Sequence, residues 1–86
     1  MLLLRSLRLR YHIRLDELAQ AAGVSHQYIS DLELEKRRAT PGDRRLVERA
    51  FDIVVQNRRK QIDRLAEEFS AGRSYFLDPI KEEGTD

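Results

Sequence analysis

The chain has 86 residues, no cysteine, 41% hydrophobic residues, and 16 Lys or Arg against 15 Asp or Glu. That is enough for one modest helix-rich domain, and it excludes a disulfide framework, a thiolate metal site and a thiol nucleophile. The lack of cysteine suits a reducing, cytoplasmic setting, and no run approaches the roughly 18 apolar residues of a membrane span or the apolar core of a secretory signal. The net charge of +1 hides an asymmetry: residues 1–45 carry nine basic and six acidic groups, residues 46–86 seven and nine. The front half is mildly basic and the tail mildly acidic.

Residues 2–11 read as a first helix, with Leu3, Leu4, Leu7 and Tyr11 at helical spacing and Arg5, Arg8 and Arg10 on other faces. His12 and Ile13 form a short turn. Residues 15–22, LDELAQAA, read as a second helix with an apolar stripe of Leu15, Leu18, Ala19 and Ala22. Asp16 and Glu17 lie in its first turn, where the helix dipole favours negative charge. Gly23 ends it, because glycine tolerates the left-handed conformation of a helix C-terminus. Ser25 is placed to cap a third helix, which extends to about Glu35 with Ile29, Leu32 and Leu34 as its apolar residues. KRRATPGD is a basic loop punctuated by Pro41-Gly42.

From Asp43 to Ser70 there is neither Gly nor Pro. Leu46, Val47, Ala50, Phe51, Val54 and Val55 form one apolar stripe; six polar residues, QNRRKQ, interrupt it; Ile62, Leu65, Ala66 and Phe69 resume it. A single long helix over about 43–70 and two helices broken near Asn57 both fit these propensities. Ala71-Gly72 closes the segment, RSYFLDPI reads as an extended apolar tail, and KEEGTD as a frayed end.

Two short helices joined by a tight glycine-bearing turn cross steeply. Ile29 and Leu32 then supply the buried side of the third helix, and His26, Gln27, Tyr28, Ser30 and Asp31 are left mostly outward. Hydrogen-bonding side chains on the N-terminal half of such a helix can reach base edges in a DNA major groove. Glutamine can pair with adenine, while Ser25 and the first amides of the helix can meet phosphate.

These residues carry a resemblance. Leu7 to Glu33, LRLRYHIRLDELAQAAGVSHQYISDLE, resembles the helix-turn-helix of the phage repressor/Cro (XRE-like) family. The matching features are Leu7-Arg8, Leu18-Ala19, Ala22-Gly23-Val24, Ser25, Ile29, Leu32 and Glu33. The resemblance implies an all-α fold of five packed helices, a dimer, and binding to short inverted repeats in double-stranded DNA. It implies a largely buried ion pair between Arg8 and Glu33. By matching position it sets His26, Gln27 and Asp31 towards bases and Tyr28 near the sugar-phosphate backbone, and gives phosphates to Lys36, Arg37 and Arg38.

This sequence departs from the family pattern at several positions. Where the family often has glycine, this chain has His12 and Glu35; at Glu35 either the third helix runs on or the residue takes a left-handed turn. Arg14 stands where a small polar cap is usual; it cannot cap, but can contact phosphate. Asp31 brings a negative charge towards DNA, which either selects a cytosine amino group or weakens binding. One long segment replaces the last two family helices.

The expected architecture is therefore a repressor-like head of about four helices within residues 1–72, including the long helix, followed by a tail over 73–86. The apolar stripe of the long segment is wider than one small core covers. Phe51, Val54, Val55, Ile62, Leu65, Phe69, Tyr75 and Phe76 are accordingly expected to form a homodimer contact, which could set two heads on successive major grooves. His12 and His26 are too isolated for a metal site, and no catalytic triad, P-loop or dinucleotide turn is present. No metal, cofactor or enzymatic activity is expected. The expected function is a dimeric, sequence-specific transcriptional repressor. The alternative is a protein-interaction module of antitoxin or anti-repressor type, whose C-terminal helix and tail bind a protein partner.

Overall fold

The computed structural model describes residues 1–80; KEEGTD, read above as a frayed end, lies outside the described residues. The chain is all-α over that range, with α1 Leu3–Arg10, α2 Leu15–Ala22, α3 His26–Glu33 and α4 Pro41–Gly72, then a 3-10 turn at Arg73–Tyr75. The core sits where α2, α3 and the first half of α4 meet. Ile13, Leu18, Ala19, Ile29, Ala50 and Val54 are buried there, with Leu4, Val24, Val47 and Phe51 packed around them. Burying each of the largest three, Leu18, Ile29 and Val54, contributes about 1.5–3 kcal/mol relative to exposure.

Helices α1, α2 and α3 all end in the same way. The amides of Ile13, Val24 and Lys36 reach back to the carbonyls of Arg8, Ala19 and Asp31, and the amides of His12, Gly23 and Glu35 to those of Leu9, Gln20 and Leu32. This double bond pattern, with a left-handed residue between, satisfies carbonyls the helix leaves free. The left-handed residues are His12 (φ 55°), Gly23 (φ 71°) and Glu35 (φ 59°). The third helix therefore does not run to Glu35: it stops at Glu33, and Leu34, expected to be apolar packing, is 44% exposed. Leu3 likewise leaves the expected stripe of α1, at 71% exposure.

The long segment is one helix, and it starts two residues before the predicted boundary. Thr40 accepts the Asp43 amide on its hydroxyl (3.1 Å), and the Asp43 carboxylate accepts the Thr40 amide (3.0 Å). That reciprocal cap, with Pro41 in the first helical position where its missing N–H is no loss, sets the start. The polar run 56–61 does not break the helix: its Gln, Arg and Lys residues are good helix formers, and Arg58 within it is tied to the head. Its guanidinium donates to both carboxylate oxygens of Glu17 (3.0 and 2.7 Å) and to the His12 carbonyl (3.2 Å).

Beyond Arg58, α4 projects from the head as a solvent-surrounded rod, and the molecule extends 53 × 25 × 22 Å. The tail is not extended as expected. It turns through Arg73–Tyr75 so that the Phe76 ring packs edge-on against Phe69, centroids 5.1 Å apart. One expected dimer residue is also corrected: Val54 is 1% exposed and fills the head's own core, so it is not available to a second molecule.

The three turns give a direct test. A left-handed conformation costs a side-chain-bearing residue about 1–2 kcal/mol, partly offset by glycine's larger entropy loss on folding. His12→Gly and Glu35→Gly are each expected to raise stability by about 0.5–1 kcal/mol. Gly23→Ala is expected to lower it by about 1 kcal/mol even though a Cβ there would meet nothing within 4 Å. Urea midpoints at unchanged m-value report all three.

Candidate nucleic-acid interface

Helix α3 is held at both ends by polar locks and in the middle by Ile29 and Leu32, which are 0% and 6% exposed. At its C-terminal end Glu33 is 2% exposed. Its carboxylate accepts from Arg8 Nε (2.7 Å) and Nη2 (2.6 Å) and from Arg5 Nη1 (2.7 Å). Arg8 donates its remaining Nη1 to the Ile13 carbonyl at 3.1 Å. Burial pushes the Glu33 carboxyl up, but the bonds and charge of Arg8 and Arg5 outweigh this and hold it below the ordinary range. Arg8 is held correspondingly above its own, chiefly by its bonds to Glu33.

At the other end, the Tyr28 hydroxyl donates to Asp43, and the Arg37 guanidinium lies over the Tyr28 ring (4.7 Å to the centroid) while approaching Asp43 at 3.3 Å. Asp43 is 6% exposed. The Tyr28 hydroxyl first, then the Thr40 amide, hold its carboxyl down to about 2. This cluster ties the first half of α3 to the first turn of α4, so Tyr28 and Arg37 are each already engaged within the fold.

The face of α3 opposite Ile29 and Leu32 points outward, most fully at its N-terminal end. Ser25 caps it by accepting the Tyr28 amide (3.3 Å). His26 and Gln27 are exposed, and His26 Nδ1 lies 3.9 Å from Asp16. Gln27 donates an amide N–H to the half-buried Asp31 at 2.8 Å. Arg14 extends from the N-cap of α2, with its side chain 81% exposed and 3.7 Å from Asp16. Lys36 and Arg38 are exposed and make no ion pair among the described residues.

Arg5, Asp43 and Arg58 join these arrangements without being singled out by sequence. Asp43 had a readable signal, since Thr-Pro-Gly-Asp has the spacing of a capping box. Arg58 had none within its polar run, and its partner Glu17 lies 41 residues away.

A short helix crossing another at a glycine turn, locked at both ends and bare on its outer face, defines a helix-turn-helix protein. A family model described as helix-turn-helix matches residues 4–53, more than half of the chain. The chain belongs to this family, of XRE type, and is a DNA-binding transcription regulator. The match ends within α4 and leaves its projecting half outside. No curated protein and no solved structure matches the chain. Among the described residues no cluster of ligating side chains could hold a metal ion, and no helix is long and apolar enough to cross a membrane.

Two outcomes are expected of the locks. Glu33→Ala strands two arginines at a buried site and should cost about 3–5 kcal/mol, read as a lowered urea midpoint. The depressed Asp43 carboxyl contributes stability that is complete above its unfolded value of 3.8 and is lost as the pH falls towards 2. Glu33 and Glu17, also depressed, act in the same direction. In Asp43→Asn, unfolding midpoints measured from pH 5 down to about 2 should fall less steeply than in the native chain; an identical slope would remove Asp43 from the account.

Proposed function

We propose that the protein is a dimeric, sequence-specific repressor that occupies a short inverted-repeat operator and blocks a promoter. The observation that carries this reading is the exposed, hydrogen-bonding outer face of α3 at His26 and Gln27, on a helix held by the Glu33 and Asp43 locks. In this reading His26 and Gln27 meet base edges, with Asp31 beside them. Arg14, Ser25, Tyr28, Lys36, Arg37 and Arg38 meet the sugar-phosphate backbone. Residues 1–72 are the DNA-binding unit, and residues 73–86 its C-terminal tail.

The Gln27–Asp31 bond sharpens one role. A glutamine amide has two N–H donors and one acceptor oxygen. Asp31 takes one N–H, leaving one donor beside the oxygen, which is the pairing that adenine N7 and N6 require. Asp31 thus acts here by orienting Gln27. Tyr28 and Arg37 present to phosphate only the faces that Asp43 leaves free, so the sequence-independent attraction falls mainly to Lys36, Arg38 and Arg14.

Selection from randomised duplex DNA at about 150 mM salt, a stringent level for phosphate contacts, tests this directly. An enriched inverted repeat is expected; no enrichment by folded protein would refute the reading and favour a protein-interaction module. On the selected operator, Gln27→Ala should lose about 1–3 kcal/mol of discrimination at one base pair. Lys36→Ala and Arg38→Ala should each weaken binding to all sequences alike and flatten the salt dependence by about one unit.

A further inference from the structure

The projecting half of α4 carries an apolar seam that includes part of the head. Residues 51, 55, 58, 62, 65, 69 and 72 are separated alternately by four and three residues, and Phe76, just past the 3-10 turn, joins them through its ring against Phe69, lining one surface with Ile62 and Leu65. That is the spacing of a coiled-coil seam, which repeats every 3.5 residues on average. Ile62, Leu65 and Phe76 on it are 65%, 64% and 64% exposed. At the head end the seam opens into a groove of about 750 Å³, walled by Leu7 of α1 and Tyr11 just after it and floored by Phe51, Val55 and Ile62. Val54, buried in the head, is not on this seam.

From this we infer that the groove is filled by the C-terminal end of α4 from a second copy, the two long helices running antiparallel. This rests on the dimeric reading above and gives it a register. One antiparallel alignment pairs the seam throughout: Val55 lies opposite Gly72 of the second copy, Arg58 opposite Phe69 and Ile62 opposite Leu65, and the Phe76 ring of the second copy, past its helix end, comes beside Phe51. Small faces large at Val55 and Gly72, and Asp52 and Arg73, of opposite charge, flank the seam at each end. Arg58, already neutralised by Glu17, presents its stem to a phenylalanine ring.

A parallel pairing fits worse. It sets Arg58 against Arg58 and Gly72 against Gly72. It also brings two concave grooves face to face, so neither is filled. In the antiparallel pair each groove receives a bare helix end with the Phe69–Phe76 pair on it. The alignment separates the two head attachment points at Ala50 by about 40 Å along the rod, comparable with the ~34 Å between successive major grooves.

The absence of cysteine makes the test clean. Val55→Cys and Gly72→Cys are made separately in the full chain; a Cβ at Gly72 meets only the Tyr75 ring, at 3.7 Å. Oxidation without DNA should give a cross-linked dimer only when the two variants are mixed. A cross-link within either variant alone means a parallel pair and overturns the inference, as does a sedimenting monomer or a dimer lacking the mixed cross-link. Phe69→Asp, a change outside the head core, should weaken self-association at least about tenfold while the helical signal of the head is kept; unaltered association would equally refute it. An antiparallel pair that selects no operator would sink the repressor reading alone, and operator binding with the wrong cross-link pattern would sink this one alone.

Discussion

The buried carboxylate of Glu33 is the constraint on which the head depends. Helix α1 has one buried residue, and that residue is Arg8. Its attachment therefore rests less on apolar packing than on the forked bonds of Arg8, with Arg5, to a carboxylate on α3. A pair this deep in the protein gains little over a well-packed apolar substitute, but it is costly to break from one side. It fixes direction as well as distance: two donors of one guanidinium meet two oxygens in a plane. Because Arg8 also donates to the Ile13 carbonyl, the same side chain sets the turn that delivers Ile13 to the core.

That turn introduces a second constraint. Three consecutive helices are stopped by one hydrogen-bond pattern, and only one of the three stops is glycine. His12 and Glu35 adopt the left-handed conformation at a cost of about 1–2 kcal/mol each, which the surrounding structure offsets. At His12 the offset is visible, because the turn aims its carbonyl at Arg58, the side chain that also grips Glu17. The α1–α2 turn, the start of α2 and the middle of α4 are thus joined at one guanidinium. A break in α4 near Asn57 would remove Arg58 from all three.

Much of this was legible in the sequence. The apolar stripes, Gly23 and the Ser25 cap mark α2 and α3, since each is a local signal of spacing or capping. The Arg8–Glu33 pair came from family likeness alone. The stop at Glu35 is not decided locally, because helix continuation and a left-handed turn differ by about a kcal/mol; in the fold the amides of Glu35 and Lys36 close back on the Leu32 and Asp31 carbonyls. Stripe membership does not say which neighbour covers a residue: one step along α4, about 100° around the axis, takes the chain from Val54 in the core to Val55 on the open groove. The cap made by Asp43 is legible in Thr-Pro-Gly-Asp, but its bond to Tyr28 and the whole role of Arg58 are not, for a shared reason. Each matters through a partner distant in sequence, Tyr28 in one case and Glu17 in the other, and single-chain periodicity carries no such pairings.

The distribution of charge bears on why the long helix belongs to the proposed function. Helix α3 offers DNA mostly uncharged side chains, and Tyr28 and Arg37 are already engaged with Asp43. One head then has only a few unpaired cations for phosphate, and salt-dependent attraction scales with that number. Single-head binding would be weak at physiological salt. Joining two heads makes the second contact intramolecular, and the gain depends on whether the connection holds both at the spacing of the two half-sites. A flexible tether would spread the heads over many spacings; a rod gripped by Arg58 at its root does not. On the proposed reading the specificity lies in α3, but the affinity that makes it usable comes from a helix that never touches DNA.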